Sequence, residues 1–402
     1  MTYRGNPHSG GQGVYVRQLS RALGALGHHV EVMSGPPYPE LDPGVALCRL
    51  ESLDLYRPED PFRRQRPLRD AIDLLEFGGM CLAGFPEPLS FSLRAWRELN
   101  RRRAEFDVVH DNQCLGYGLL GIERAGLPVL ATIHHPIAVD RRLELAQATW
   151  QRRVALRRWY GFTRMQGRVA RRLKRLLTVS EAARDEILRE IGVRPERISV
   201  VLNGVDSAIF RPLASHPRIP GRVVATASAD VPLKGLVPLL QAMARVRRER
   251  LDSELVVVGK PREGGTVARL IGELGLGGSV RFVNGLPECE LVELYAGAEV
   301  AVVPSLYEGF SLPAVEAMAC AVPVVATTAG ALPEVVGRDG DSGLLVPPGD
   351  AGALAAAIGR MLEDPDLRSR TGRSGRARVL ERFSWRRAAE RTVELYRESM
   401  AC

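Results

Sequence analysis

Between residues 222 and 346, short apolar runs alternate with stretches of helical spacing, and this rhythm narrows the available folds more than any other feature. The runs Val223–Ala227, Leu255–Val258, Val280–Val283, Val300–Val303, Val322–Ala326 and Leu344–Val346 are almost wholly hydrophobic and rich in β-branched residues. Strands of that kind are buried on both faces, as in a parallel sheet covered by helices on each side. Between them, Leu236–Arg247, Val267–Leu274, Glu290–Ala296 and Pro313–Ala319 are spaced as helices. The alternation predicts a Rossmann-like, doubly wound α/β domain.

The first half repeats the rhythm less cleanly. Val16, Leu19, Leu23 and Leu26 recur at helical spacing before the strand-like Val30–Met33. Asp107–Val109, Val129–Ile133, Leu176–Val179 and Ile198–Val201 follow as strand candidates, so a second doubly wound domain is expected. A length of 402 residues suits two or three domains. Asn203-Gly204-Val205-Asp206 is turn chemistry and Pro217–Gly221 a proline-bearing connection, which places a hinge near residues 203–221. Only nine residues, mostly polar, precede Gly10-Gly11, where such a domain would open on a strand. The expectation is that the first strand is lacking, through a start codon placed roughly 5 to 6 residues too far downstream.

Hydrophobic residues at 45% and charged residues at 25% exclude a disordered or collagen-like chain. No apolar run reaches the ~18 residues of a membrane span, and the first residues lack a signal-peptide core, so a cytoplasmic protein is expected. The six cysteines are scattered, without metal-like clustering with histidine, and no metal site is expected. Basic residues outnumber acidic ones by 55 to 47, yet only Lys174, Lys234 and Lys260 are lysines. Trp150 to Arg175 carries ten basic residues and no acidic one. This segment reads as a patch for an anionic membrane surface or as the solvated face of a long helix; nucleic acid is disfavoured because no nucleic-acid motif accompanies it.

Three constellations carry chemistry. In Pro304–Ala319 a strand ends, a loop carrying Glu308 follows, and Pro313 suits the first turn of a helix, so backbone N–H groups around Phe310 to Leu312 would offer an anion site. Glu316 is placed in that helix's first turn, where it could accept two ribose hydroxyls; alternatively both glutamates are cap and dipole residues. Lys234, after the strand Val223–Ala227, is a point charge suited to a diphosphate, in a chain that elsewhere uses arginine. Gly10-Gly11-Gln12-Gly13 is a turn that lets a backbone approach a ligand, without being the Gly-x-Gly-x-x-Gly of a dinucleotide site. His110, Asn112, His134 and His135 fall near strand ends and read as a polar wall for a ligand. Phe77–Phe91 is apolar and irregular, either a surface for a lipid or aglycone or a packed loop.

Gly10-Gly11 before a helix ending Gly27-His28-His29-Val30, Thr132-Ile133-His134, Val179-Ser180-Glu181, Asn203–Asp206, Lys234-Gly235 and Glu308-x7-Glu316, in this order, resemble glycosyltransferase family 4. The resemblance runs through Arg382-Phe383-Ser384-Trp385. It implies the GT-B architecture: an acceptor domain over 1–205, a donor domain over 206–381, the two facing a central cleft, and a last helix, 382–402, crossing back to the first domain. It further implies a retaining, metal-independent transfer of a sugar from a nucleotide-diphosphate donor, with UDP the expected carrier, to an acceptor left open. Glu308, Lys234 and His134 would be catalytic. Gly10, Gly11, Lys234, Glu308, Gly309, Phe310, Ser311, Leu312 and Glu316 would bind the donor, and domain closure would exclude water. The family's usual Gly-Arg pair is replaced by Ser228-Ala229, so Lys260 or Arg262 would supply the second cation. An epimerase or phosphorylase of the same architecture, or a non-catalytic nucleotide-sugar binder, are the other readings.

Overall fold

The computed structural model describes residues 1–6, 11–57, 60, 62–64, 66–227, 231–261 and 264–401. They form two compact units, one of Met1–Val201 with Arg386–Cys402 and one of Leu202–Trp385.

The second unit is a six-stranded parallel sheet. Its strands follow the apolar runs: β7 (Arg222–Thr226), β8 (Glu254–Val258), β9 (Val280–Val283), β10 (Val300–Val303), β11 (Val324–Thr327) and β12 (Leu344–Val346). The order across the sheet is β12-β11-β10-β7-β8-β9. Neighbouring residues such as Val223 and Val224, or Leu255 and Val256, are both fully buried, so helices cover both faces. Leu239, Leu240 and Met243 of the helix Leu236–Glu249 pack one face together with Ile358 and Met361 of the helix Ala351–Glu363. The strand expected at Val322 starts two residues later. Val322 gives its N–H to Ala317 O of the preceding helix (3.0 Å), and Pro323 has none to give the ladder. Strand β7 has β8 on one side and β10 on the other, so the chain reverses its direction of travel between β7 and β10. In open α/β sheets, that switch point is where ligands bind.

In the first unit, β1 (Glu31–Ser34) pairs with β2 (Ala46–Arg49), and β3 (Val109–Asn112), β4 (Val129–Ile133), β5 (Arg175–Thr178) and β6 (Ile198–Val200) form a separate parallel sheet. Met1 and Thr2 occupy the place between β1 and β3: Thr2 N–H donates to Met33 O (3.0 Å), and Asn112 N–H donates to Met1 O (2.8 Å). The strand expected to be lacking is thus represented by a two-residue bridge. Strand β3 runs on past the apolar run Asp107–Val109 because its polar end finds partners; buried Asp111, for example, accepts the Leu115 N–H (3.0 Å).

Two expectations are corrected. Phe77–Phe91 is not irregular: it lies in the helices Ala71–Cys81 and Glu87–Arg101 and the turn between them. Their buried positions include Asp73, Glu76 and Arg94, held by ion pairs, so a search for apolar periodicity does not see them. The basic segment is two helices, Trp150–Trp159 and Phe162–Ala170, broken at Tyr160-Gly161, rather than one. Among the described residues no helix is long and apolar enough to cross a membrane.

The last helix, Trp385–Met400, begins where Val205 N–H donates to Phe383 O (3.1 Å), and nearly all of it belongs to the first unit.

Candidate functional site

The loops after β7 and β10 emerge side by side at the switch point. After β7 the chain makes a short 3-10 turn, Pro232–Lys234, and Gly235 enters the helix Leu236–Glu249 at φ 66°. A Cβ at Gly235 would stand 1.9 Å from Pro304 O, so this close approach of two backbones requires glycine. Leu306 N–H donates to Leu233 O (2.8 Å) and ties the loops together. Lys234 Nζ consequently reaches Glu308 Oε1 at 2.8 Å, and Ser305 Oγ donates to the same oxygen at 2.8 Å. Behind Glu308, Ala331 N–H donates to its carbonyl (2.9 Å), and a Cβ on Gly330 would collide with that carbonyl at 2.1 Å.

Ser311, at φ 96°, caps the helix Leu312–Ala319 by accepting the Ala314 N–H (3.4 Å). Phe310 is buried edge-on against Phe383, with ring centres 5.7 Å apart. The N–H groups at Phe310 to Leu312 have no acceptor within the helix by virtue of their position, and the helix dipole adds a positive pole there. Glu316 is the fifth residue of this helix, so it sits in the second turn, not the first as expected. Tyr295 OH lies 3.4 Å from Glu316 Oε2 and 3.2 Å from Thr226 Oγ1 at the end of β7. Burial raises the Glu316 carboxyl to about 7. Lys260 follows β8 and is exposed. Arg262, Ser228, Ala229 and Gly10 lie outside the described residues.

In the first unit, Gly11 precedes the helix Gln12–Ala25 at φ 65°, and Gly13 packs so tightly that a Cβ would meet Asn6 O at 2.1 Å. His134 N–H donates to Gln113 Oε1 (2.6 Å), and its ring stands edge-on to Tyr15 at 4.7 Å. His134 Nε2 lies 2.7 Å from Asn112 Oδ1. Asn112 Nδ2 donates to Thr2 Oγ1 and Gln12 O (both 3.4 Å), so Oδ1 is the atom turned to the histidine, which assigns the proton to Nε2. Burial lowers both His134 and His110 to about 3, so both rings are neutral near pH 7. His110, expected on a ligand-facing wall, has both ring nitrogens engaged inside the unit, with Tyr396 OH of the last helix (2.7 Å) and Thr132 Oγ1 (2.6 Å). His135 Nε2 pairs with Asp140 Oδ2 at 2.8 Å.

Sequence reasoning missed Tyr295, Ser305, Gly330 and Tyr396. Tyr295 is buried and Tyr396 half-buried on their helices, where an aromatic ring is unremarkable, and Gly330 gains its meaning only from the carbonyl it faces.

Residues 9–208 match the family model described as Glycosyltransferase Family 4, and residues 218–378 match Glycosyl transferases group 1. The chain is 54% identical over 404 residues to an MMP alpha-(1->4)-mannosyltransferase of Mycolicibacterium hassiacum, covering 100% of this chain and 98% of that protein. It is 31% identical to a D-inositol 3-phosphate glycosyltransferase of Streptomyces bingchenggensis, covering 98% and 86% of the two chains. The structure of a sucrose-phosphate synthase from Thermosynechococcus elongatus superposes with a TM-score of 0.76 at 26% identity, covering 100% of this chain and 98% of that one. Anabaena HepE, solved with UDP and glucose, shares the fold with a TM-score of 0.71 at 19% identity over 98% of each chain. Two Rossmann-like units, each matching its own half of the family, and relatives alike from end to end leave one assignment: the chain is a hexosyl-transferring glycosyltransferase of family 4, with the GT-B fold.

Proposed function

We propose that this enzyme transfers an α-mannosyl group from a nucleoside diphosphate-mannose to the 4-hydroxyl of a mannoside acceptor, retaining the α configuration. The observation that carries the transfer chemistry is the Lys234–Glu308 pair at the switch point; the sugar and the linkage follow the 54%-identical relative. In the reaction the bond from C1 to the diphosphate oxygen breaks, the bond from C1 to the acceptor oxygen forms, and the acceptor proton passes to the departing diphosphate. Negative charge builds on that diphosphate, so fixed donors aimed at it stabilise the transition state more than the ground state. Lys234 has three N–H donors and gives one to Glu308, which leaves two for phosphate. The N–H groups of Phe310 to Leu312 add the positive end of a helix. Glu308 Oε1 is engaged by Lys234 and Ser305, and its Oε2 is assigned to a hydroxyl of the donor sugar. Glu316 receives the ribose hydroxyls. His134, neutral, offers its Nδ1 lone pair to a sugar hydroxyl and does not act as an acid.

The reading includes metal independence, so activity should survive chelation. It also includes peripheral contact with anionic membrane through the helices Trp150–Trp159 and Phe162–Ala170: no residue of the first is buried, and Trp150 is 74% exposed beside arginines.

The test is incubation with GDP-, UDP- and ADP-mannose and an α-(1→4)-linked mannoside acceptor, with the product linkage read by NMR. The expected product is one residue longer with a new α-(1→4) bond. A β bond would sink the retaining mechanism. Tight donor binding without any transfer would favour a non-catalytic binder, and consumption of donor without acceptor an epimerase.

A further inference from the structure

In the first unit, β2, the segment that follows it and the helices Ala71–Cys81 and Glu87–Arg101 line a pocket of about 170 Å³. Six arginines line it, Arg49, Arg66, Arg69, Arg94, Arg97 and Arg101, against the four lining carboxylates of Glu51, Asp70, Asp73 and Glu98 and the buried Glu76 that pairs with Arg94, an excess of one positive charge. The carboxylates are already engaged: Asp73 by Arg66 and Arg94, Asp70 by Arg97, Glu51 by Arg69, and Glu98 by Arg101.

Two guanidiniums on this wall keep a donor in reserve. Arg94 has a side chain only 5% exposed. Its Nη2 donates to Asp73 Oδ1 (2.7 Å) and Glu76 Oε2 (2.5 Å), while its buried Nη1 has no acceptor among the described residues. Arg66 donates through Nη1 and Nη2 to Asp73 (2.5 and 2.8 Å), while its buried Nε has none, Glu51 Oε2 standing at 4.0 Å. Buried charged donors without acceptors are rare in folded proteins, and each calls for an explanation. The acids hold both guanidiniums at the wall of the pocket, and guanidinium forks match phosphate geometry. The remaining positive charge favours an anion there over a neutral ligand.

We propose that this pocket is an oxyanion site that takes a phosphate group, either inorganic phosphate or a small phosphomonoester. Arg94 Nη1 and Arg66 Nε donate to it, and Arg49 and Arg101 at the mouth draw it in. No residue of this site belongs to the transfer chemistry above, and the proposal stands independently of it.

Thermal unfolding in on the order of 10 mM phosphate, against chloride of equal ionic strength, is the first measurement, repeated with glycerol 3-phosphate. The intact protein should gain about 2 to 4 °C with at least one of the two probes. A response to inorganic phosphate identifies the free ion as sufficient, and a response to glycerol 3-phosphate alone identifies an ester. Lys234→Ala should keep the gain, which separates this pocket from the donor loops. Arg94→Met combined with Glu76→Gln preserves charge balance and should lose it. Should that pair fail to fold, Arg49→Ala with Arg101→Ala, both exposed positions, should weaken phosphate binding several-fold at unchanged stability without ligand. A gain no larger than in chloride overturns the site, as does a gain that persists in the folded arginine variants or disappears in Lys234→Ala.

Discussion

Lys234 Nζ and Glu308 Oε1 lie 2.8 Å apart although 74 residues separate them, because their loops leave adjacent parallel strands at the point where the sheet changes direction. In the proposed mechanism the pair would join a cation for the departing diphosphate to a carboxylate for the donor sugar, so removing either end should disturb both tasks.

Lys234→Ala should lower kcat by about 10²- to 10³-fold, as expected for loss of a donor aimed at developing charge. It should also weaken nucleoside diphosphate binding by about 1.5 to 3 kcal/mol. Stability should change by less than about 1 kcal/mol, since the pair is partly exposed. Calorimetric titration of UDP, GDP and ADP with single-turnover kinetics checks all three; an unchanged kcat would remove Lys234 from the proposed mechanism.

Gly235→Ala should be damaging for backbone reasons alone. A Cβ there meets Pro304 O at 1.9 Å, at a φ of 66° that disfavours side chains. A loss of roughly 1 to 3 kcal/mol is expected, with activity falling as the two loops separate. Urea unfolding measures the first effect; a neutral outcome would mean the loops are not held as described.

Glu316 titrates at about 7 in the folded chain, above its ordinary value of 4.5. The folded state therefore holds the proton more tightly than the unfolded one, and the associated stability, full below pH 4.5, is lost as pH rises toward 7 and is absent above it. Glu316→Gln should flatten that slope and, at pH 8, stabilise the free protein by roughly 1 to 3 kcal/mol. Nucleotide affinity should move the other way: the wild type should bind more tightly as pH climbs through 7 and the carboxylate forms, and the glutamine variant should lose that dependence. Affinity independent of pH between 6 and 8 in the wild type would count against Glu316 as the ribose acceptor.

His110 and His134 are held near 3, below the ordinary 6.5. The unfolded chain binds more protons between those values, so stability is full above pH 6.5 and is lost as pH falls toward 3. Each ring contributes up to about 1.4 kcal/mol per pH unit in that window. Unfolding midpoints at pH 7 and pH 5 should separate, and His134→Gln should narrow the gap. Equal gaps in variant and wild type would show that His134 is not held neutral by burial.

The alternation of strand and helix was legible in the second half because strands buried on both faces must be apolar along their whole length, and the observed strands agree with the apolar runs to within two residues. In the first half the helices Ala71–Cys81 and Glu87–Arg101 escaped notice because they bury charges: Asp73, Glu76 and Arg94 leave no apolar stripe to read. Lys234, Glu308 and Glu316 stood out by residue type and spacing, whereas Tyr295 and Tyr396 did not.

The amino-acid order determined which segments become strands, where the loops after β7 and β10 fall, and which charged residues those loops carry, since burial and turn chemistry are written locally. Only the tertiary structure decided that Lys234 is spent partly on Glu308, that Glu316 sits in a second turn beside Tyr295, and that His110 serves the last helix. Those outcomes depend on sheet order and on contacts across 21 to 286 residues, which no local pattern encodes.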